Sequence, residues 1–324
     1  MFRVRDFIET HEGVLCSVLL YNHPEYGIVC QPRYLRAAHG LKKLGSTRDA
    51  IEYLRRSHPE YLRFCPEFDR ELVVVPRDSI SKHHMPGPAL RSILKEGGNR
   101  DIAYVVGGLT RNSNLSVEEL GVTGSFLIGG QGPESDIDLV IYGLDRYSEA
   151  VGGMRECLSD GAFSPLDKRD WRAIYDKRGL RENPDYSFQE FCWHEARKLS
   201  RAKVGRRRFD LLSARREDEI TGDFHDYSYR RLGKARVRCR VRDTELGHDY
   251  PARYSLDACL HSGHPIAEIA SYTHTYVDQA RKDELVECGG ILEQVSGKGS
   301  FRRILIGSSR EAPEEFMKVL RSPA

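Results

Sequence analysis

The sequence predicts an α+β protein in three parts, and three observations carry that prediction. Helical and strand-like stretches alternate between about 89 and 222. Beyond about 223 helical periodicity nearly vanishes, and apolar–polar alternation with period 2 takes its place. Inside the first stretch a glycine-rich turn opens onto a strand bearing two acids, Asp136 and Asp138. The expected parts are an α+β accessory domain at 1–88, a mixed core domain at 89–222 and a small β-barrel domain at 223–324. A chain of 324 residues has room for two or three domains.

In the N-terminal part, 13–21 reads as a strand and 27–30 as its hairpin partner, joined by turn chemistry at Asn22-His23-Pro24-Glu25. A helix follows over 47–56, capped by Ser46 or Thr47. Leu72-Val73-Val74-Val75 is an apolar patch. Pro76 and the loop-like segment His83-His84-Met85-Pro86-Gly87-Pro88 then mark a boundary. In the core, helices are expected at 89–96, 101–111, 145–157, 167–176 and 187–203, and strands at 121–125, 137–142 and 208–213. In the last part, Ala235 to Val241 alternates as a half-buried strand does. Further strand-like runs lie at 252–259, 266–277, 284–294 and 301–307, followed by a helix near 311–321. Short, closely spaced strands of this kind suit a closed or partly open barrel.

Composition narrows the function classes. Forty per cent hydrophobic and 30% charged residues are ordinary for a globular chain. With a net charge of only +2, any affinity for nucleic acid must come from local clusters. These are Arg206-Arg207-Arg208, Arg230-Arg231, and Arg236, Arg238 and Arg240 in alternation. No apolar run is long enough to span a membrane, and the N-terminus lacks the apolar core of a secretion signal. A reducing cytoplasm is the expected compartment. The eight cysteines form no C-x-x-C pair, so free and mostly buried thiols are expected. A Cys16–Cys30 disulfide is conceivable but has nothing in its favour.

The chemistry is concentrated between Gly124 and Val140. Backbone N–H groups at a glycine-rich turn can cradle phosphate oxygens, and glycine permits their close approach. On a strand, period 2 puts Asp136 and Asp138 on one face, about 7 Å apart. Two acids so close repel unless a cation sits between them. Ile137, Leu139 and Val140 make the strand otherwise core-like, where unpaired acids are costly. A two-metal phosphoryl-transfer site uses this pattern and needs a third acid. Asp210, on its own apolar strand with Arg208 and Leu212 in phase, is the candidate; the competing reading pairs it with a neighbouring arginine.

These residues carry a family resemblance. Gly124-Ser125 followed by Asp136-Ile137-Asp138 resembles the G-S…D-x-D signature of the polymerase β nucleotidyltransferase superfamily. Gly121 to Ser125, Pro133 to Gly143, His194-Glu195-Ala196-Arg197-Lys198, Phe209 to Leu212, Tyr272 to Tyr276 and Arg310-Glu311-Ala312 are more closely similar to an archaeal group of predicted nucleotidyltransferases. The resemblance implies a polymerase β-like core. In it Asp136, Asp138 and Asp210 are catalytic metal ligands for Mg²⁺ or Mn²⁺, and Gly124 and Ser125 touch the triphosphate, with Ser135 in the same loop. Many relatives follow the G-S pair with a small residue and an arginine. Here Phe126-Leu127-Ile128 follows, so phosphate-binding cations are expected elsewhere.

The helix over 188–203 offers such cations. His194, Lys198 and Arg201 recur at helical spacing, so Lys198 and Arg201 either hold phosphates or form a solvated basic face. His261 and His264 read as a surface turn and not as metal ligands. Tyr272, His274 and Tyr276 alternate on a strand, where they either stack bases or fill the sheet. The arginines at 236, 238 and 240 either make the barrel, expected to be of oligonucleotide-binding type, a platform for RNA or DNA, or protect a strand edge. The expected activity is metal-dependent transfer of a nucleoside monophosphate from a nucleoside triphosphate, with release of pyrophosphate. The acceptor is an RNA 3′ end by preference, or a protein hydroxyl. A nucleotide-binding regulator and a nucleic-acid-binding module are the alternatives.

Overall fold

The protein is described by a computed structural model that covers residues 1–309 and 311–320. Packing divides it into two units. The first comprises Met1–Arg63, Leu72–Asp167 and Leu199–Gly222; the second comprises Phe64–Glu71, Lys168–Lys198 and the chain from Asp223 onward.

The N-terminal strands are β1 (Phe7–Thr10), β2 (Val14–Val18), β3 (Ile28–Ala37), β4 (Gly40–Lys43), β5 (Leu62–Cys65), β6 (Arg70–Val75) and β7 (Ile80–His84). They form a sheet in the order β5-β6-β3-β2-β1-β7, with β4 paired to β3. The helix α1 (Thr47–Ser57) is fixed at its start by a capping box, in which Ser46 and Asp49 satisfy each other's backbone N–H groups. The segment at 83–84, expected as loop, belongs to β7. His83 and His84 pair there with the buried acids Asp6 and Glu9 of β1 and its lead-in, at 2.7 and 3.2 Å.

The mixed sheet follows. The helices α2 (Pro86–Lys95) and α3 (Arg100–Arg111) precede β8 (Leu120–Thr123) and β9 (Ile137–Tyr142), and α4 (Leu144–Ser159) follows. After α5 (Lys168–Lys177) and α6 (Phe188–Lys198), which belong to the second unit, the chain adds β10 (Arg201–Val204) and β11 (Arg207–Ala214). The sheet order is β10-β11-β9-β8, with β11 parallel to β9 and the other pairs antiparallel. Leu90, Val105, Leu109, Ala150 and Met154 from three helices cover the buried Val122, Leu139, Ile141 and Leu211 of the strands. Apolar burial of this kind, at ~25 cal/mol per Å², is what holds the helices on the sheet.

In the second unit β12 (Tyr227–Asp243), β13 (Ala252–Asp257), the two-residue strands β14 (Leu260–His261) and β15 (His264–Pro265), β16 (Glu268–Ser271), β17 (Leu285–Gly297), β18 (Phe301–Ile306) and β19 (Phe316–Val319) succeed one another. Their pairings form a ring: β12 to β13, β13 to β16, β16 to β18, β18 to β17, and β17 back to β12. Only the β16–β18 pair is parallel. Val237, Cys239 and Val241 of β12 join one apolar cluster with Tyr254, Ile269, Val286 and Ile304.

Four expectations are corrected here. The helix at 187–203 stops at Lys198, because Leu199 adopts a left-handed φ of 54° and the chain then pairs with β11. The helix near 311–321 is a turn and a strand, β19, drawn onto the edge of β17; Arg310 and Arg321 lie outside the described residues. Tyr272, His274 and Tyr276 do not alternate on a strand, since β16 ends at Ser271 and 274–276 is a single 3₁₀ turn. Cys239 and Cys259, expected as thiols, are joined in a disulfide, their Cα atoms brought to 5.2 Å by the ring; the other six cysteines are free. Among the described residues no helix is long and apolar enough to cross a membrane.

Candidate active site

The acids meet in the mixed sheet of the first unit. Asp138 lies in β9 and is the register partner of Asp210 in β11 and of Thr123 in β8. Adjacent strands lie about 4.8 Å apart, so the two acids are side-by-side neighbours on one face. Their strand neighbours Ile137, Leu139, Phe209 and Leu211 are fully buried on the other face, while both acids keep partial exposure. Asp136 stands in the loop immediately before β9, not on the strand as expected.

Two guanidiniums hold the outer acids. Arg208 donates from Nε to Asp136 Oδ1 at 2.9 Å, and Arg201 donates from Nε to Asp210 Oδ2 at 3.1 Å. The Arg201 side chain is only 3% exposed, so this second pair is largely withdrawn from water. Asp210 thus pairs with an arginine, as the competing reading has it, and stands beside Asp138. Among the described residues no set of three or more His, Cys, Asp and Glu side chains is gathered as a metal cage. The carboxylates of Asp136 and Asp210 are turned towards arginines instead.

The glycine turn closes on the same face. Gly124 has φ +66°, and a Cβ built on it would stand 2.3 Å from Asp138 Oδ2. No other residue fits so near that carboxylate. The turn is locked by Gly130 N–H donating to the Ser125 carbonyl at 2.9 Å. Further on, Gly132 N–H donates to the Ser135 hydroxyl at 2.9 Å, and Arg207 donates to the Ser135 carbonyl at 2.6 Å and to Asp101. Phe126, Leu127 and Ile128 are buried, and the last two pack with Phe7, Leu15 and Tyr34 of the N-terminal sheet. The apolar turn is therefore an anchor for the accessory strands, which explains why no arginine follows the G-S pair.

Lys198 and Arg201 do not share a helical face. Arg201 belongs to β10 of the first unit. Lys198 belongs to the second unit, where its ammonium is buried and donates to Glu195 Oε1 at 2.6 Å and to the Thr275 carbonyl at 2.7 Å. Burial pulls the Lys198 ammonium down to about 7. His194 is likewise structural: its Nδ1 donates to the Glu190 carbonyl, its Nε2 accepts from Val319 N–H, and burial drives its pKa down to about 3. Tyr276 is buried with its hydroxyl donating to the Glu315 carbonyl, which leaves no free face for a base.

Arg207 and Arg208 went unassigned in the sequence reading except as part of a basic cluster. The available signal was phase, since Arg208 shares the polar phase of β11 with Asp210.

With this geometry in view, comparison with known proteins is informative. Residues 104–203 match the nucleotidyltransferase domain family. The matched span includes Gly124, Ser125, Ser135, Asp136, Asp138, Lys198 and Arg201, and ends before Asp210. An uncharacterized protein of Methanocaldococcus jannaschii is 30% identical to this chain, over 98% of the chain and 99% of that protein. No solved structure matches. The chain belongs to the nucleotidyltransferase family of polymerase β type, with that archaeal protein as a full-length relative.

Proposed function

We propose that the protein transfers a nucleoside monophosphate from a nucleoside triphosphate to an acceptor, with release of pyrophosphate, at Asp136, Asp138 and Asp210. One observation carries the reading: Asp138 and Asp210 are register partners on parallel strands, and Gly124 presses against the Asp138 carboxylate. The acids suit Mg²⁺ or Mn²⁺ in chemistry, being hard oxygen donors. They also show their demand for positive charge, since guanidiniums already sit on Asp136 and Asp210. Such an ion, when bound, supplies Lewis acidity to phosphate oxygens and lowers the pKa of an attacking hydroxyl.

The chain's own residues do the positioning. Gly124, Ser125 and Ser135 present a backbone turn to the triphosphate, with Arg207 at the Ser135 carbonyl and Arg201 and Arg208 at the acids as cations for its oxygens. Lys198, expected among them, is assigned a bracing role, because its ammonium is committed to Glu195 and Thr275. For the acceptor we favour an RNA 3′ end over a protein hydroxyl. The ring of five strands supports a small barrel of oligonucleotide-binding type, and β12 carries Arg236, Arg238 and Arg240 on its exposed phase.

The test is incubation of the protein with Mg²⁺, each α-labelled nucleoside triphosphate and total cellular RNA, beside the Asp136→Asn/Asp138→Asn double variant. Label on RNA or protein from the wild type alone supports the reading and identifies the acceptor class. No transfer with any of the four triphosphates, in Mg²⁺ or Mn²⁺, would favour a nucleotide-binding regulator instead.

A further inference from the structure

The first unit has a recess at the opposite end of β9 from the acids. Tyr142 is the last residue of β9, and a cavity of about 230 Å³ opens beside it. Its lining includes Arg3, Gly87, Arg91, Glu118, Tyr142 and Arg216. Four features of this lining point to a ligand.

The first is Tyr142 itself. It is 7% exposed, and its hydroxyl has no hydrogen-bond partner among the described residues. Buried hydroxyls are nearly always bonded, so an orphan at a cavity wall calls for an external partner. Burial, reinforced by the charge of Asp6, raises the phenol pKa, so the group is a neutral donor at any physiological pH.

The second is the start of α2. This ten-residue helix has no side-chain cap, and Pro86 and Pro88 flank Gly87, whose N–H is the first that the helix offers. That N–H lies close to the Tyr142 oxygen. A Cβ on Gly87 would come within 3.7 Å of the Tyr142 ring and 3.3 Å of the Arg91 guanidinium, so the three groups converge.

The third is Arg91, one helical turn on. It is exposed and makes no ion pair or hydrogen bond among the described residues. Its neighbours differ: Arg216 is shared by Asp145, Asp218 and Glu219, and Arg3 lies over the Tyr142 ring at 4.8 Å with Glu217 at 3.9 Å. The fourth is Glu118, a lining carboxylate with no cation on it among the described residues.

We propose that this recess binds a small phosphomonoester, its phosphate held by Gly87 N–H, the Tyr142 hydroxyl and Arg91, and an amine or hydroxyl of its body held by Glu118. Three donors of different origin suit three terminal phosphate oxygens better than the two of a carboxylate. The cavity exceeds a bare phosphate, so it leaves room for a body. The site is separate from Asp136, Asp138 and Asp210 and does not depend on the function assigned to them.

Isothermal titration of the full chain tests this, with phosphoethanolamine, inorganic phosphate and β-alanine as probes. The expected order is phosphoethanolamine tightest, inorganic phosphate weaker and β-alanine weakest. Arg91→Gln weakens phosphoethanolamine at least about tenfold, the loss expected for a charge-assisted contact. Tyr142→Phe weakens it severalfold and also raises the melting temperature of the ligand-free protein, because it removes an unbonded buried hydroxyl. The Asp136→Asn/Asp138→Asn protein binds as the wild type does. The proposal fails if no probe binds saturably at millimolar concentration, if Arg91→Gln binds normally, or if β-alanine matches phosphoethanolamine. Loss of binding in the aspartate variant would assign the phosphate to the other site. A lower melting temperature in Tyr142→Phe would show that the hydroxyl is already bonded within the protein, and that too would overturn the proposal.

Discussion

The strands β11 and β12 look alike in sequence and do opposite things. Both alternate charged with apolar residues, Arg208 and Asp210 around Phe209 in one and Arg236, Arg238 and Arg240 around Val237 and Cys239 in the other. In β11 the polar phase lies beside acids from a strand 72 residues away, with a glycine turn against them. In β12 the polar phase faces outward, and one acid of β17, Glu287, accepts from both Arg236 and Arg238. The difference is burial. Around β11 Arg201, only 3% exposed, holds Asp210 and Arg208 holds Asp136; on β12 the half-exposed Arg236 and the exposed Arg238 share Glu287, and Arg236 also reaches Asp185. Ion pairs partly withdrawn from water are costly to break, whereas exposed ones contribute little.

Substitutions on the two strands and their surroundings should break that comparison if it is wrong. The largest effect is expected at Asp138→Asn: transfer of labelled nucleotide should fall at least about 10³-fold while the melting temperature stays within a few degrees of wild type. A strong loss of stability with normal activity would make the acid structural. Gly124→Ala comes next. The left-handed φ and the 2.3 Å approach to Asp138 should lower transfer by about 10- to 100-fold and cost roughly 2 kcal/mol by urea unfolding. Normal behaviour of this variant would show that the turn is not closed on the acid in solution.

Arg201→Ala should cost about 2 kcal/mol, because it strands Asp210 beside Asp138 with less positive charge near. Arg238→Ala, with its side chain 68% exposed, should change stability by less than about 0.5 kcal/mol. Equal costs for the two would erase the distinction between the strands. If the ring is the RNA platform proposed above, Arg238→Ala should nonetheless weaken RNA binding severalfold and reduce its salt dependence.

His194 gives the second unit a pH signature. His194 has a folded pKa of about 3 against an ordinary value of 6.5, so between those values the unfolded chain binds the extra proton. The stability this neutral imidazole contributes is present above pH 6.5 and is lost as pH falls towards 3. By pH 5 the loss is about 2 kcal/mol. Urea midpoints at pH 7 and pH 5 check it: His194→Gln, whatever its starting stability, should lose less than the wild type over that interval.

Much of the local structure was legible because local rules dominate it. The strand expected at 137–142 is β9 to the residue, α1 begins at the Ser46 cap, and the two acids with their glycine turn were found from spacing alone. Three of the misreadings share one cause, pairing with a distant strand. Leu199 carries no helix-breaking signature, yet the helix ends there because 201–204 pairs with β11. Phe316 to Val319 has helical neighbours in sequence and becomes a strand because β17 offers it an edge. His83 and His84 read as loop until Asp6 and Glu9 appear opposite them.

The sequence by itself determined the period of β9 and of 235–241 in β12, the cap of the first helix, and the close spacing of Asp136 and Asp138 behind a glycine turn, since these rest on residue type and spacing within a few positions. Tertiary structure decided which acid faces which, because register between β9 and β11 depends on pairing across some seventy residues. It also decided that Lys198 is buried and Arg201 stands beside Asp210. A charge's role follows from its partners and its access to water, and neither is a property of the residue alone.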